Sequence, residues 1–282
     1  MASDLLVALL DGTLVPADRP LLRADDAGVT RGDGCFETTL AVAGVPRDLP
    51  EHLARLQLSA DLLDLVLPGP EDWTRGVDAV LGARQGADQV VRLIATRGPE
   101  GGIPTCYVTG GPVPASSVAQ RTAGIRVALL ERAVSGADAA RMPWLLFGAK
   151  TLSYAMNMGA LRWAAARGLD DVLFVGSDGA VLEGPRSSVV ALLEDDTGPV
   201  LCTPPADGIL DGITVRRLLG AADAAGLATS RRLLTVADLQ AAQGVWLTSS
   251  VRLLAPVTEL DGSPLVDGGW TPRLAALLEV PA

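Results

Sequence analysis

Lysine is almost missing from this 282-residue chain: of 23 basic residues, one is a lysine, Lys150, and the others are arginine. Histidine is equally scarce, with His52 alone. The three cysteines, Cys35, Cys106 and Cys202, are odd in number and far apart. That spacing argues against a disulfide framework, offers no zinc-ligand pattern, and fits a reducing, cytoplasmic compartment. Basic charge is also short, at 23 against 33 acidic residues and a net charge of -10. Nucleic acid and an anionic membrane surface both want a basic face, so neither is an expected partner. No apolar run approaches the roughly 18 residues of a spanning helix. The start Met1-Ala2-Ser3-Asp4 has no basic region, and Leu5–Leu10 is too short for a signal peptide. There is neither a Gly-Lys-Ser/Thr phosphate loop nor a Gly-x-Ser-x-Gly elbow.

What is present is material for a core. Hydrophobic residues make up 49% and charged residues 20% of a 29.0 kDa chain, enough for one large or two modest domains. Abundant Ala, Gly and Arg fit a GC-rich coding bias under which a neutral surface lysine is readily lost. Lys150 is then either a chance survivor or a residue whose amine is needed. Arginine stays protonated, whereas a desolvated lysine can be a nucleophile or a base.

Asp-Gly pairs mark hairpin turns, most clearly for Leu5–Leu10 returning through Leu14-Val15, and Val172–Val175 returning through Val181-Leu182. Further strands are expected at Phe36–Val42, Val90–Ala95, Cys106–Thr109, Ile125–Leu130, Val189–Leu193 and Val245–Thr248. Helical periodicity covers Glu51–Leu65, Trp73–Leu81, Leu152–Ala166, Val215–Ala225 and Pro272–Leu278. Strands and helices mix, and the hairpins argue against a strictly parallel sheet, so the expected class is α+β. The turn-rich stretch 113–124 reads as a linker between an N-terminal domain, 1–112, and a larger C-terminal domain, 125–282, that carries Lys150.

Lys150 follows the apolar Trp144-Leu145-Leu146-Phe147 and precedes a helical pattern, which places its amine in poorly hydrated surroundings. Tyr154 lies one turn further on if the helix has begun, or is simply a half-buried aromatic. Glu183 ends a hairpin return ahead of Gly184-Pro185-Arg186-Ser187-Ser188. A buried carboxylate there needs a protonated or cationic partner, and Arg186 is one candidate. The glycine loop Gly208–Gly212 opens the helix with Thr214 in its first turn, which suits an anion and equally suits an ordinary N-cap. Thr248-Ser249-Ser250 adds hydroxyls after a strand, and Arg55 lies on a helix beside His52, itself read as structural. No residues suggest a metal.

An amine, a tyrosine, a carboxylate, two N–H/hydroxyl cradles and an arginine are together what pyridoxal 5'-phosphate requires. The chain resembles the fold-type IV pyridoxal-phosphate enzymes: branched-chain and D-amino-acid aminotransferases, and 4-amino-4-deoxychorismate lyase. The resemblance rests on Arg31–Thr38, His52–Leu56, Lys150–Tyr154, Glu183–Ser188, Gly208–Thr214 and Thr248–Ser250, in this order and spacing. It implies a two-domain fold with mixed sheets and packed helices, and a homodimer. It implies that Lys150 is the catalytic Schiff-base lysine, that Glu183 pairs with the pyridine nitrogen, and that Tyr154 bonds the ring hydroxyl. Arg55, Ile213, Thr214, Ser249 and Ser250 would hold the phosphate. Ser188 stands where the family usually has asparagine.

Within the family, Gly32–Phe36 and Lys150–Tyr154 look closer to the lyase and D-amino-acid branch than to the branched-chain enzymes. The Arg-x-His carboxylate trap of the D-amino-acid enzyme is missing after Thr96-Arg97-Gly98, and Phe36 replaces its substrate-binding tyrosine. The lyase, which eliminates pyruvate to give 4-aminobenzoate for folate, is therefore preferred. The alternatives are an aminotransferase of branched-chain or D-amino acids, and a protein that binds the cofactor without catalysis. Phe36, Thr38 and Arg97 are the candidate substrate residues.

Overall fold

The structure is a computed structural model that describes residues 4–139, 141–196 and 198–281. Met1-Ala2-Ser3, read above for a leader, lies outside the described residues. The chain divides into two compact units, Met1–Pro114 with Ala149–Tyr154, and Ala115–Gly148 with Ala155–Ala282. Lys150 thus groups with the first unit rather than with the C-terminal part. The stretch expected as a linker is mostly the helix Ala115–Ala123. Its one buried residue is Arg121, so no apolar period announces it.

The first unit runs β1 (Leu6–Leu9), β2 (Leu14–Val15), α1 (Ala27–Arg31), β3 (Gly34–Val42), β4 (Val45–Pro46), α2 (Leu49–Leu62), α3 (Pro70–Gly82), β5 (Gln89–Thr96) and β6 (Thr105–Pro112). Its strands form one antiparallel sheet in the order β2-β1-β6-β5-β3-β4. Helices α2 and α3 lay Leu56, Ala60, Trp73, Val77 and Val80 on Ala8, Val91, Leu93 and Val108. Burial of each large side chain contributes about 1.5–3 kcal/mol. Gly76 permits the close approach of α3, since a Cβ there would lie 2.8 Å from Val108 Cγ2. Along β3 the pleat sends Cys35, Glu37 and Thr39 into fully buried positions and leaves Phe36 and Thr38 half-buried.

The second unit comprises α4 (Ala115–Ala123), β7 (Ile125–Arg132), α5 (Gly136–Ala139), α6 (Ala155–Ala165), β8 (Asp171–Gly176), β9 (Ser188–Asp195), β10 (Gly198–Thr203), α7 (Ile213–Ala224), β11 (Ala228–Arg231), α8 (Val236–Ala241), β12 (Gly244–Ser249), β13 (Leu253–Leu260), β14 (Ser263–Pro264) and α9 (Thr271–Leu277). Its sheet is ordered β11-β10-β9-β12-β13-β7-β8, with β14 beside β13. Three pairings, β10–β11, β13–β7 and β7–β8, are parallel and the others antiparallel. One antiparallel sheet and one mixed sheet, each with packed helices, make the class α+β, as expected. Both faces of β9 are covered: Val189, Ala191 and Leu193 enter one core cluster, Val190 and Leu192 another. The helix expected from Leu152 begins at Ala155, because Leu152 N–H is committed to Gly34 O.

A turn between β12 and β13 carries Ser250. Arg121 of α4 donates to the carbonyls of Val251 and Arg252, at 3.1 and 3.3 Å. Arg252 in turn donates to Asp171 Oδ2 of β8 at 2.8 Å, and both side chains are buried. Removing one partner of a buried ion pair costs about 3–5 kcal/mol, most of it the price of the stranded charge. Asp171→Ala should therefore destabilise the protein by that amount, and adding Arg252→Met should restore much of the loss. A denaturant double-mutant cycle with no coupling between the two sites would refute the pairing.

Candidate active site

In the first unit, Lys150 sits on an extended segment laid along β3. Phe36 N–H donates to Lys150 O at 3.0 Å, and Leu152 N–H to Gly34 O at 2.8 Å, with an antiparallel bridge between Cys35 and Thr151. The Lys150 N–H donates to Ser59 Oγ of α2 at 3.0 Å. The backbone is thus fixed from a strand and a helix while the side chain lies over aromatic rings. Lys150 Nζ is 4.5 Å from the Phe36 ring centre and 5.8 Å from that of Tyr154. Those rings pack edge-on, 5.4 Å apart at 86°. Tyr154 reaches the amine through this pair, not through a helical turn.

On the buried side of β3, Glu37 meets two residues of α2. Arg55 donates from Nε and Nη2 to the two carboxylate oxygens at 2.6 and 2.9 Å, and His52 Nδ1 lies 2.7 Å from Oε2. Burial opposes the Glu37 charge, but Arg55 and His52 outweigh it and hold the carboxyl down at about 2. Because the folded value is lowered, this contribution to stability is complete above the ordinary 4.5 and is lost as pH falls towards 2. The sequence had placed Arg55 in the site but had not given it this partner.

Arg97 donates from Nε to Asp33 at 2.6 Å and from Nη2 to Leu63 O at 2.6 Å, so its guanidinium ties a loop to the end of α2. Phe36 and Thr38 share the face of β3 on which the Lys150 amine lies over Phe36.

In the second unit, Glu183 Oε2 accepts from Leu210 N–H at 3.2 Å, and Oε1 lies 3.9 Å from Arg132 Nη1. Arg186, the cation suggested by proximity in sequence, is exposed. Arg132 also donates from Nη2 to Gly208 O at 2.6 Å and stacks 4.5 Å from the Phe147 ring centre. The carboxylate and the Gly208–Leu210 loop are therefore held by one buried arginine. Sequence reasoning missed Arg132, whose only signal is a basic residue ending an apolar strand.

The loop leads into α7 through Gly212, with no side-chain cap and no acidic residue in the first turn. Ile213 and Thr214 are buried there. Gly212 is pressed against Ser188 Oγ, where a Cβ would collide. Ser188 is paired with Thr248 across β9 and β12, so Ser188, Ser249 and the start of α7 converge at the ends of adjacent strands. Ser187 Oγ is buried and has no hydrogen-bond partner among the described residues. Uncapped N–H groups and hydroxyls of this kind suit an anion.

The profile of the amino-transferase class IV family matches residues 34–260. A curated relative, the bifunctional aminodeoxychorismate lyase / D-amino acid transaminase of Mycobacterium tuberculosis, is 45% identical over 268 residues, 92% of this chain and 93% of its own length. Among solved structures, a hypothetical aminotransferase from Mycobacterium tuberculosis in its PLP-bound form shares 43% identity, with a TM-score of 0.93 over 97% of each chain. The fold IV-transaminase CpuTA1 from Curtobacterium pusillum shares 40% identity, with a TM-score of 0.89 over 98% of this chain and 97% of that one.

If Arg132 joins Glu183 to the loop, Arg132→Met should cost roughly 1–3 kcal/mol, since Gly208 O loses a buried donor. Amide-exchange protection should fall across 208–214. An unchanged denaturation midpoint and exchange pattern would remove Arg132 from this role.

Proposed function

The chain belongs to the class IV aminotransferase family, and from that premise we propose that it is a pyridoxal 5'-phosphate-dependent 4-amino-4-deoxychorismate lyase. The observation that carries the proposal is the sole side-chain amine of the chain, pinned on β3 and lying over Phe36 and Tyr154. The remaining residues fit the cofactor. The uncapped start of α7 and the Ser187 hydroxyl, which has no hydrogen-bond partner among the described residues, suit a phosphate and its hydrogen bonds. Ile213, Thr214, Ser249 and Ser250, with Arg55, would hold the phosphate, and Ser188, packed against Gly212, would support the loop that leads into α7. Glu183 would meet the pyridine nitrogen, and Tyr154 the ring hydroxyl.

When bound, the cofactor supplies an electron sink for the charge left as a carbon–hydrogen bond breaks. Lys150 would be both its attachment point and the base that takes the proton from the amine-bearing carbon of the substrate. In the lyase reaction the lysine then gives a proton to the departing enolpyruvate, which leaves as pyruvate, and 4-aminobenzoate remains. In transamination Lys150 would move the same proton away from the substrate carbon, and a keto acid would leave. Glu183, beside the Arg132 guanidinium, would meet the ring nitrogen with its carboxylate, and that charge would favour the protonated ring.

A second reading, D-amino-acid transamination by the same site, is favoured by the double name of the 45% identical relative. The missing Arg-x-His trap and the engagement of Arg97 with Asp33 weigh towards the lyase. The protein is also read as a cytoplasmic homodimer. Free cysteines at Cys35, Cys106 and Cys202 support the compartment, and exposed Trp144, Met156, Met158 and Trp163 support association.

Borohydride reduction and peptide mapping should place the pyridoxyl group on Lys150, and Lys150→Ala should abolish both adduct and turnover. Supplied with aminodeoxychorismate, the enzyme should release 4-aminobenzoate and pyruvate in equal amounts. Keto acid from D-amino acids without 4-aminobenzoate would replace the first reading by the second, and no adduct on Lys150 would overturn both. Light scattering should give about twice 29.0 kDa, and a monomer alone would refute the dimer.

A further inference from the structure

The Glu37–Arg55–His52 cluster is more expensive than a purely structural tie should be. Glu37 is 0% exposed, His52 1% and Arg55 7%, at the edge of a core that holds Leu56 and Leu93. Desolvating two ions costs several kcal/mol each, and well-packed apolar residues in their place are often neutral or better for stability. Stability alone therefore gives no reason for a carboxylate and a guanidinium at this point.

What the cluster does achieve is orientation. Both oxygens of Glu37 are matched by Nε and Nη2 of Arg55, a planar fork on a planar fork that fixes the guanidinium plane. The carboxylate is itself fixed, by His52 Nδ1 at 2.7 Å and by Thr38 N–H at 3.2 Å, both on Oε2. With Nε and Nη2 committed to Glu37, the plane of the Arg55 guanidinium is set, and with it the direction from which it can meet an anion. Arg55 itself stands one turn of α2 before Ser59, which holds the Lys150 backbone.

We propose that Glu37 and His52 are positioning residues which set Arg55 for the cofactor phosphate, so that the loss of rotamer freedom is met during folding and not on binding. The proposal rests on the reading that this chain holds pyridoxal phosphate on Lys150. It makes a demand that a structural tie does not: the pair should strengthen binding of the phosphate, and not of the pyridine ring.

The test compares two probes, pyridoxal 5'-phosphate and pyridoxal, titrated spectrophotometrically into cofactor-free protein. Wild type, Glu37→Gln, His52→Gln and Arg55→Met are compared, each checked for folding by circular dichroism. Wild type should prefer the phosphorylated probe strongly, and Arg55→Met should lose most of that preference. Glu37→Gln should weaken pyridoxal phosphate roughly tenfold or more, as expected for a misaligned charge-assisted pair, and leave pyridoxal within about threefold. His52→Gln should act in the same direction with a smaller effect. Equal loss of both probes in Glu37→Gln, or an unchanged preference in it or in Arg55→Met, would overturn the proposal. Should Glu37→Gln not fold, Glu37→Asp keeps the charge but shortens the reach, and its phosphate preference is read in the same way. Failure of wild type to be reduced onto Lys150 would instead sink the cofactor reading. Lys150 labelling with an unaltered preference in the variants would sink this inference alone.

Discussion

The antiparallel bonding of the Lys150 segment to β3 is the constraint on which the candidate site depends. A lysine side chain has four rotatable bonds and an amine with no fixed direction, so its chemistry is placed only as well as its backbone is. Here Phe36 N–H fixes the Lys150 carbonyl, Ser59 fixes its N–H, and Leu152 continues the pairing to Gly34. The same bonds present Phe36 to the amine, because the residue that holds the lysine carbonyl also carries the ring beneath Nζ. On the other side of β3, the alternation that turns Phe36 outward turns Glu37 inward to Arg55. One strand therefore serves both the amine and the guanidinium.

This arrangement explains what could be read from the sequence and what could not. The hairpin of β1 and β2 and most of the long strands follow from Asp-Gly turns and alternating apolar residues, which are local signals. Helices α2, α3 and α7 follow from their apolar stripes. Helix α4 looks like a linker in the sequence because its buried contact is made by Arg121, so the information lies in the turn it supports and not in its own periodicity. The extended run at Lys150–Tyr154 was folded into the following helix for a related reason. Its sequence tolerates either conformation, and pairing with a strand more than a hundred residues earlier decides between them.

The candidate site is legible where the proposed function calls for a distinctive residue or motif, and illegible where it calls for a partner. Lys150, Glu183 and the Gly208–Thr214 loop stand out by chemistry and order. Arg132 and Glu37 do not, since each is one charge among many until the sheet places it beside a second charge. The serine at 188 is a case between. In the family pattern an asparagine is usual, and the shorter hydroxyl fits here because Gly212 removes the side chain that would occupy the same space. A loop glycine and a strand serine are thus one packing choice, spread over two motifs that the sequence presents separately.

The near-absence of lysine acquires a chemical meaning in this setting. The buried cations of the structure, Arg55, Arg121, Arg132 and Arg252, all hold carboxylates or carbonyls in fixed geometry. A lysine could hold such groups less rigidly, and its amine could also attack a carbonyl compound. Arginine keeps its proton at any physiological pH and forms no such bond. A chain that assigns every structural cation to arginine leaves a carbonyl-bearing cofactor one side-chain amine to react with. On the proposed attachment through Lys150, selectivity among side chains follows from composition, and the folded structure needs only to direct that single amine. The pairing of Lys150 with β3 does so.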